Sequence, residues 1–279
     1  MGVDEKTLGK RLQQARKQAG LTQEELCQKT GLSYSTLAKI ERGAIKAPSV
    51  FTVAAIAAAT GAPIEDLLGV KLPTSPKKTS KTGVKFVYFD LNGVLVRFFY
   101  WAFTKIARDA RTSADTVETL FWRHNDALCK GKMGLLEFDR LMQQELGLEN
   151  FSWQSYYLSS IEPMPNITDL VAWAAQNYNV GIFTNSPSGM VKELIKKGLL
   201  PKVRYKAIID SSEIGLVKPD EKIFHLAQKA AEVEAGQILL VDDSQSNLMA
   251  ADKQGWKVLW FDDYQPEEGI KRVKDSLAF

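Results

Sequence analysis

Two cysteines in 279 residues, Cys27 and Cys129, exclude a disulfide framework. They stand far apart, with neither C-x-x-C nor metal-ligand spacing, so no thiol chemistry is assigned to them. No apolar run approaches the ~20 residues that span a bilayer, which excludes a membrane segment. The N-terminal stretch MGVDEKTLGKRLQQ lacks the apolar core of a secretory signal. The expected location is the cytoplasm, with no membrane partner.

What is present is ordinary for a globular protein, 45% apolar and 25% charged, and the length suggests two domains. The charge is unevenly placed. Through Gly83 there are 13 Lys/Arg against 7 Asp/Glu, whereas the remainder carries 23 against 26. A basic small domain joined to a slightly acidic larger one points to a polyanion partner for the first.

Residues 71–83, KLPTSPKKTSKTG, combine prolines, lysines and hydroxyl residues with one apolar side chain, a composition that reads as a flexible linker. Before it the pattern is helical throughout. After it, short apolar strands alternate with amphipathic helices. The expected domains are therefore 1–70, all-α, and 84–279, α/β.

In the first domain Leu8, Leu12, Ala15 and Ala19 recur at helical spacing, and Gly20 is placed to stop that helix. Thr22 with Glu25 three residues on is a capping box for a second helix. Gly31 turns the chain into a third, N-capped by Ser33 and running to Arg42. Two short helices around a glycine turn make a helix-turn-helix.

The stretch LTQEELCQKTGLSYSTLAKIERGAIKAPSVFTVAAIAAATG, within Leu12 to Leu68, resembles the helix-turn-helix domain of the Xre and lambdoid-repressor family. That resemblance implies five helices, with the third entering the major groove of double-stranded DNA. It makes Tyr34, Ser35 and Lys39 the base readers, with Ser33 beside them, and gives Gln23 and Arg42 the phosphates. Such domains usually act in pairs on two-fold operators, so a homodimer is implied.

In the second domain the expected strands are KFVYFD, NVGIFT, KAIID, QILLVDD and KVLWF. Continuous apolar runs mean strands covered on both faces, hence a parallel, doubly wound sheet with its ligand at the carboxyl strand ends. Polar residues fall at those ends: Asp90, Thr184 with Asn185, and Asp242 with Asp243. Lys218 is expected to open a helix with Pro219 at its first position. An acid nucleophile, a hydroxyl and a lysine for phosphate oxygens, and a carboxylate pair for a hard divalent cation would complete a phosphoryl-transfer site.

The ordered set D-x-N-G-V, T-N-S, K-P-D and V-D-D-S resembles the four motifs of the haloacid dehalogenase (HAD) superfamily of phosphatases, whose core is Rossmann-like. The insert from about 97 to 163, carrying Trp101, Trp122 and Trp153, looks like that family's α-helical cap. The resemblance implies that Asp90 attacks phosphorus while Thr184, Asn185 and Lys218 hold the phosphate. It implies that Asp90, the Asn92 carbonyl and Asp243 bind Mg²⁺, supported by Asp242. Arg97, Arg123 and His124 are candidates for substrate contact from the cap; His225 reads as a surface residue.

Asn92 departs from the family pattern. The family's acid at this position protonates the leaving alcohol and later deprotonates the attacking water, work contributing ~10² to 10⁴ in rate. An amide donates a hydrogen bond but exchanges no proton near neutral pH. The expectation is a DNA-binding regulator whose second domain binds a phosphorylated small molecule with Mg²⁺ and turns it over slowly or not at all. A working phosphatase carrying a DNA-binding domain, or a domain kept only as a dimerisation scaffold, are the alternatives.

Overall fold

The computed structural model describes residues 5–69 and 77–278. The chain divides into two compact units, Met1–Ser75 and Pro76–Phe279. The first is all helical: α1 (Glu5–Gln18), α2 (Gln23–Thr30), α3 (Tyr34–Glu41), α4 (Val50–Thr60) and α5 (Ile64–Leu68). Thr22 and Glu25 form the capping box reciprocally, and Gly31, left-handed at φ 73°, ends α2. Ser33 caps α3 by accepting from the Thr36 N–H.

Leu12, Leu26, Leu37, Ile40, Val53 and Ile56 form the core of this unit. Ala19, expected on the apolar face of α1, lies beyond the end of that helix and is exposed. The Arg16–Glu41 pair is buried beside the core. Arg16 donates to both Glu41 oxygens at 2.6 and 2.9 Å, and Gln23 adds a third donor at 2.8 Å. Burial alone would raise the Glu41 carboxyl, but the hydrogen bonds from Arg16 and Gln23 outweigh it and hold the group below its ordinary range.

In the second unit, β1 (Phe86–Phe89) is followed by four helices, α6 (Tyr100–Asp109), α7 (Ala114–Cys129), α8 (Leu135–Leu146) and α9 (Trp153–Leu158). Then come α10 (Ile167–Asn177), β2 (Asn179–Thr184), α11 (Met190–Lys196), β3 (Ala207–Asp210), α12 (Ser211–Ile214), α13 (Glu221–Ala231), β4 (Ile238–Asp242), α14 (Gln245–Lys253), β5 (Lys257–Trp260) and α15 (Pro266–Ser276). The strands form one parallel sheet in the order β3-β2-β1-β4-β5.

β1 lies at the centre and is buried on both faces, so Val87 and Phe89 join one apolar cluster while Phe86 and Tyr88 join the other. Side chains alternate across the pleat, and β1 thereby ties the two layers together. At Gly181 of β2, a Cβ would come within 2.6 Å of the Tyr88 ring and 2.8 Å of the Ala207 carbonyl, so only glycine lets that ring lie flat on the sheet.

Helices α6 to α9 form a cap whose centre is aromatic: Phe99, Phe103, Phe121, Phe138, Trp153 and Tyr157 pack together, with Phe121 stacked on Trp153 at 4.4 Å. Trp101 and Trp122 are exposed instead. The two chain segments joining cap to core run side by side. The Arg97 N–H donates to the Glu162 carbonyl at 2.9 Å, and the Met164 N–H donates to that of Leu95 at 3.0 Å.

Residues 71–76 of the expected linker lie outside the described residues. Residues 77–83 bond along the second unit: the Lys77 ammonium donates to the Ala175 carbonyl, the Lys78 N–H to that of Asn177, and the Lys81 N–H to that of Ala278. The open carbonyls at the end of α10 supply partners that composition does not reveal. Among the described residues no helix is long and apolar enough to cross a membrane.

Candidate functional site

Neighbouring parallel strands deliver the polar residues to one edge. Asp90 directly follows β1 and donates its N–H to the Val241 carbonyl of β4 at 2.9 Å; Thr184 ends β2 and Asp242 ends β4. This is where the strand order reverses direction across the sheet, the usual place for a ligand in such folds.

Lys218 sits at the middle of the group and is buried. Its ammonium donates to Asp90 Oδ1 at 2.9 Å, to Asp242 Oδ2 at 2.6 Å and to the Phe183 carbonyl at 2.8 Å, which occupies all three protons. Burial would lower this lysine, but Asp242 and Asp90 outweigh it and hold the group above its ordinary range. Lys218 does not open a helix: α13 begins at Glu221, with Asp220 as N-cap accepting from the Lys222 N–H at 2.9 Å. Asp220 offers a cap acceptor that proline cannot, so Pro219 lies in the preceding turn.

Asp242 is saturated. Besides Lys218 it takes the Ser244 N–H at 2.9 Å and the Asn247 amide at 3.0 Å. Asp90, Asp242 and Asp243 each offer an oxygen within 4.8 Å of the others. Three carboxylates facing one ammonium leave negative charge uncompensated. Burial, with Asp242 adding repulsion, pushes Asp90 up to about 6 against the pull of Lys218; burial and the charges of Asp90 and Asp242 push Asp243 up to about 8.

That donor set fits a hard divalent cation such as Mg²⁺, which takes oxygen ligands and would offset the excess charge. With Asp242 committed elsewhere, Asp90 and Asp243 are the side chains that would hold it. Gly93, at φ 81°, makes the approach possible: a Cβ there would lie 2.2 Å from Asp243 Oδ2.

Thr184 is buried, and its hydroxyl has no hydrogen-bond partner. An orphaned hydroxyl at a strand end beside a lysine fits an anion's oxygen. The Asn185 side chain is spent differently, its amide pairing with both the Lys218 carbonyl and the Lys218 N–H at 2.8 Å each, so it positions the lysine's backbone.

Asn92 meets the cap. The Tyr157 hydroxyl donates to Asn92 Oδ1 at 2.6 Å. Burial, then the Asp90 charge, raise this phenol far above its usual range, so it stays a neutral donor. Beside the pair lies a narrow cavity of about 20 Å³, lined by Asn92, Asn125, Cys129, Tyr157 and Asn185 among others. That is room for about one water molecule.

Neither Tyr157 nor Asn247 was expected from sequence. Asn247 is legible in hindsight, one turn into the helix after V-D-D-S, where a side chain turns back toward the strand end. Nothing local marks Tyr157, because its contact depends on how the cap lies on the core. Arg97 engages Glu162 and the Asp263 carbonyl, Arg123 is exposed, His124 packs on the Phe138 ring, and His225 is exposed against Gln254.

In the first unit, Leu37, Ile40 and Glu41 mark the inward face of α3. Ser33, Tyr34, Ser35, Lys39 and Arg42 are all exposed on the other side. Gln23 is half-buried, and its amide holds Glu41. Arg42 Nε donates to the Ala38 carbonyl at 3.1 Å.

A family model described as haloacid dehalogenase-like hydrolase matches residues 84–255. The chain belongs to that family. A helix-turn-helix model matches residues 12–67. Among curated proteins, the chain is similar to Pyrimidine 5'-nucleotidase YjjG of Escherichia coli (strain K12), 27% identical over 112 residues, covering 39% of this chain and 49% of that protein. It is also similar to Phosphoglycolate phosphatase 1 of Pseudomonas aeruginosa, 25% identical over 182 residues, 61% of this chain and 66% of that protein. The chain thus spans about half of the first relative and just under two thirds of the second.

Solved structures carry the same fold. A HAD-like hydrolase from Porphyromonas gingivalis superposes with a TM-score of 0.56 at 19% identity, covering 68% of this chain and 97% of that one. A HAD family enzyme from Bacteroides thetaiotaomicron, in complex with magnesium and inorganic phosphate, gives 0.53 at 21% identity, covering 64% and 94%.

Proposed function

We propose that this chain is a cytoplasmic, DNA-binding transcriptional regulator whose HAD unit binds a phosphorylated small molecule with Mg²⁺ and turns it over weakly or not at all. The observation that carries the reading is the contrast around Asp90. The groups that hold charge, Lys218, Thr184 and Asp243, are in place, whereas the acid–base position is an amide whose oxygen is occupied by Tyr157.

In this reading Asp90 faces phosphorus, Thr184 Oγ1 and Lys218 hold its oxygens, and Asp243 with Asp90 and the Asn92 carbonyl would bind Mg²⁺, which neutralises phosphate charge when bound. Lys218 has no spare proton while it bridges Asp90 and Asp242, so anion binding has to share one of those bonds. On the first unit, Tyr34, Ser35 and Lys39 face base edges with Ser33 beside them, and Gln23 and Arg42 serve the phosphates. Two copies of the chain would place their α3 helices about 34 Å apart on a two-fold operator.

Ligand and DNA couple only if the ligand favours one arrangement of the paired units over another. Two measurements test the proposal. Calorimetry with inorganic phosphate should show Mg²⁺-dependent uptake. Gel shifts on a selected operator, with and without a panel of sugar phosphates and Mg²⁺, should differ in affinity. Unchanged DNA affinity across the panel would remove the sensing role. A working phosphatase is the second reading, favoured by the likeness to curated phosphatases; steady hydrolysis of a chromogenic phosphate ester, abolished by Asp90→Ala, would establish it.

A further inference from the structure

The open approach to Asp90 runs past Asp243. On the Asn92 side the cap is fixed to the core by two buried contacts, the Tyr157 hydroxyl on Asn92 and the Ser211 hydroxyl, which donates to the Cys129 carbonyl at 2.6 Å. The space beside them holds about one water. Of Asp90, Thr184, Lys218, Asp242 and Asp243, the last alone is not fully buried. A ligand therefore reaches the group from that side.

Rings and carboxylates border this approach. Trp260 stands against Asp243, its indole N–H donating to the Asp243 carbonyl at 2.9 Å. Arg97 donates to the Asp263 carbonyl at 3.2 Å, which ties the chain entering α6 to the loop after β5. Tyr100 follows the first partner of that tie and Tyr264 the second. Burial, then Tyr264, Asp263, Glu118 and Asp243 around it, raise the Tyr100 phenol. Tyr100 is 49% exposed and Tyr264 80%, so both rings have faces that the protein leaves uncovered.

Charge decides what such a mouth accepts. With Mg²⁺ bound, its two positive charges and the one on Lys218 offset the three of Asp90, Asp242 and Asp243. A phosphate monoester then adds about −1.5 to −2. Asp263 and Glu118, both half-buried, add more at the mouth. Arg97 does not cancel them, because its Nε pairs with Glu162 at 2.9 Å. Burial, then the Asp262 charge, raise the Asp263 carboxyl against the pull of Arg97. Beyond the phosphate, a ligand thus meets aromatic faces, themselves negative, and carboxylates short of positive charge.

We infer that the mouth takes an organic ammonium, so that the ligand is the phosphate monoester of an amino alcohol, of the phosphocholine kind. The inference rests on the reading that the Asp90 site holds phosphate, and it names the other end of the molecule. The phosphate lies on Lys218 and the orphaned Thr184 hydroxyl, while the ammonium lies on the Tyr100 and Tyr264 rings and faces Asp263 and Glu118. A sugar would bring neutral hydroxyls to that place, and a nucleoside a neutral base; neither offsets its charge.

Calorimetry on the full chain with Mg²⁺ tests this by comparing phosphocholine with neohexyl phosphate, in which carbon replaces the nitrogen and the shape is kept. Phosphocholine should bind about three- to thirty-fold more tightly, the range for a cation on aromatic faces. Tyr264→Ala and Asp263→Asn should each shrink that ratio. Because the two ligands are compared on one sample, a loss of folded protein does not imitate the effect. A ratio near one on the wild type overturns the ammonium assignment and leaves phosphate binding in place. Tighter binding of cytidine monophosphate than of phosphocholine overturns it as well, and makes the mouth a stacking platform for a base. If inorganic phosphate shows Mg²⁺-dependent uptake and phosphocholine does not bind, the ligand class is wrong and the site stands. Absence of uptake for inorganic phosphate removes the underlying reading too.

Discussion

The Tyr157 hydroxyl and the Asn92 side-chain oxygen are 2.6 Å apart, joining α9 of the cap to the loop after β1. A phenol that donates to the amide oxygen fixes which way the amide faces: Asn92 turns its N–H₂ away from the tyrosine. The residue that replaces an acid is therefore held as a donor. Tyr157 is nearly inaccessible, whereas Asn92 is half-buried, with room for about one water beside the pair.

Tyr157→Phe should destabilise the second unit by about 0.5–1.5 kcal/mol, the net range for one lost hydrogen bond. Urea denaturation followed by tryptophan fluorescence measures it, since all the tryptophans lie in this unit. A loss near zero would mean that solvent reaches Asn92 without the tyrosine.

Asn92→Asp restores a group able to exchange a proton while changing almost no volume. Turnover of a chromogenic phosphate ester with Mg²⁺ should rise by ~10² to 10⁴. An unchanged rate would show that the amide is no handicap and would return weight to the phosphatase reading.

Much of the fold and site was legible in the sequence, for a physical reason. In a parallel sheet the residue that ends an apolar run is delivered to a known edge, so Asp90, Thr184 and Asp242 could be grouped though 152 positions separate the first from the last. The caps at Thr22 and Ser33 were legible because they act within three residues. What escaped depends on side-chain competition or on packing between distant elements. Asp220 displaced Pro219 at the start of α13, Asn185 turned to the Lys218 backbone, and Tyr157 reached Asn92 across the cap. In the segment 77–83, Lys77 found its partner carbonyl 98 positions away and Lys81 found its own at Ala278, near the other end of the chain.

In the first unit, Arg16 and Glu41 form a buried ion pair whose acid lies below its ordinary range. A carboxyl with a depressed folded value adds stability above its unfolded value near 4, and that stability is lost as pH falls through the folded one. Amide exchange of α1 and α3 in the full chain should therefore speed up below about pH 4. Glu41→Gln should remove that pH dependence while costing about 3–5 kcal/mol, because it leaves the Arg16 charge buried without its partner. Unaltered exchange in the variant would show that the pair adds no net stability.

Asp90 and Asp243 shift the opposite way, to about 6 and about 8. Acids raised above their unfolded value near 4 contribute stability that is present below that value and lost as pH rises through the folded ones. Without metal, the second unit should thus weaken between about pH 4 and pH 8. Mg²⁺ needs the same oxygens deprotonated, so its binding should strengthen over that window and release protons. Thermal melts with chelator and with Mg²⁺ should diverge increasingly toward pH 8, and calorimetry in buffers of differing ionisation enthalpy should register the proton release. Asp243→Asn provides the control: it keeps the shape and removes one charge, so the chelator melt should flatten with pH and the Mg²⁺ effect should shrink together. If the metal effect survived that change intact, the cation would have to be held by a set of oxygens other than Asp90 and Asp243.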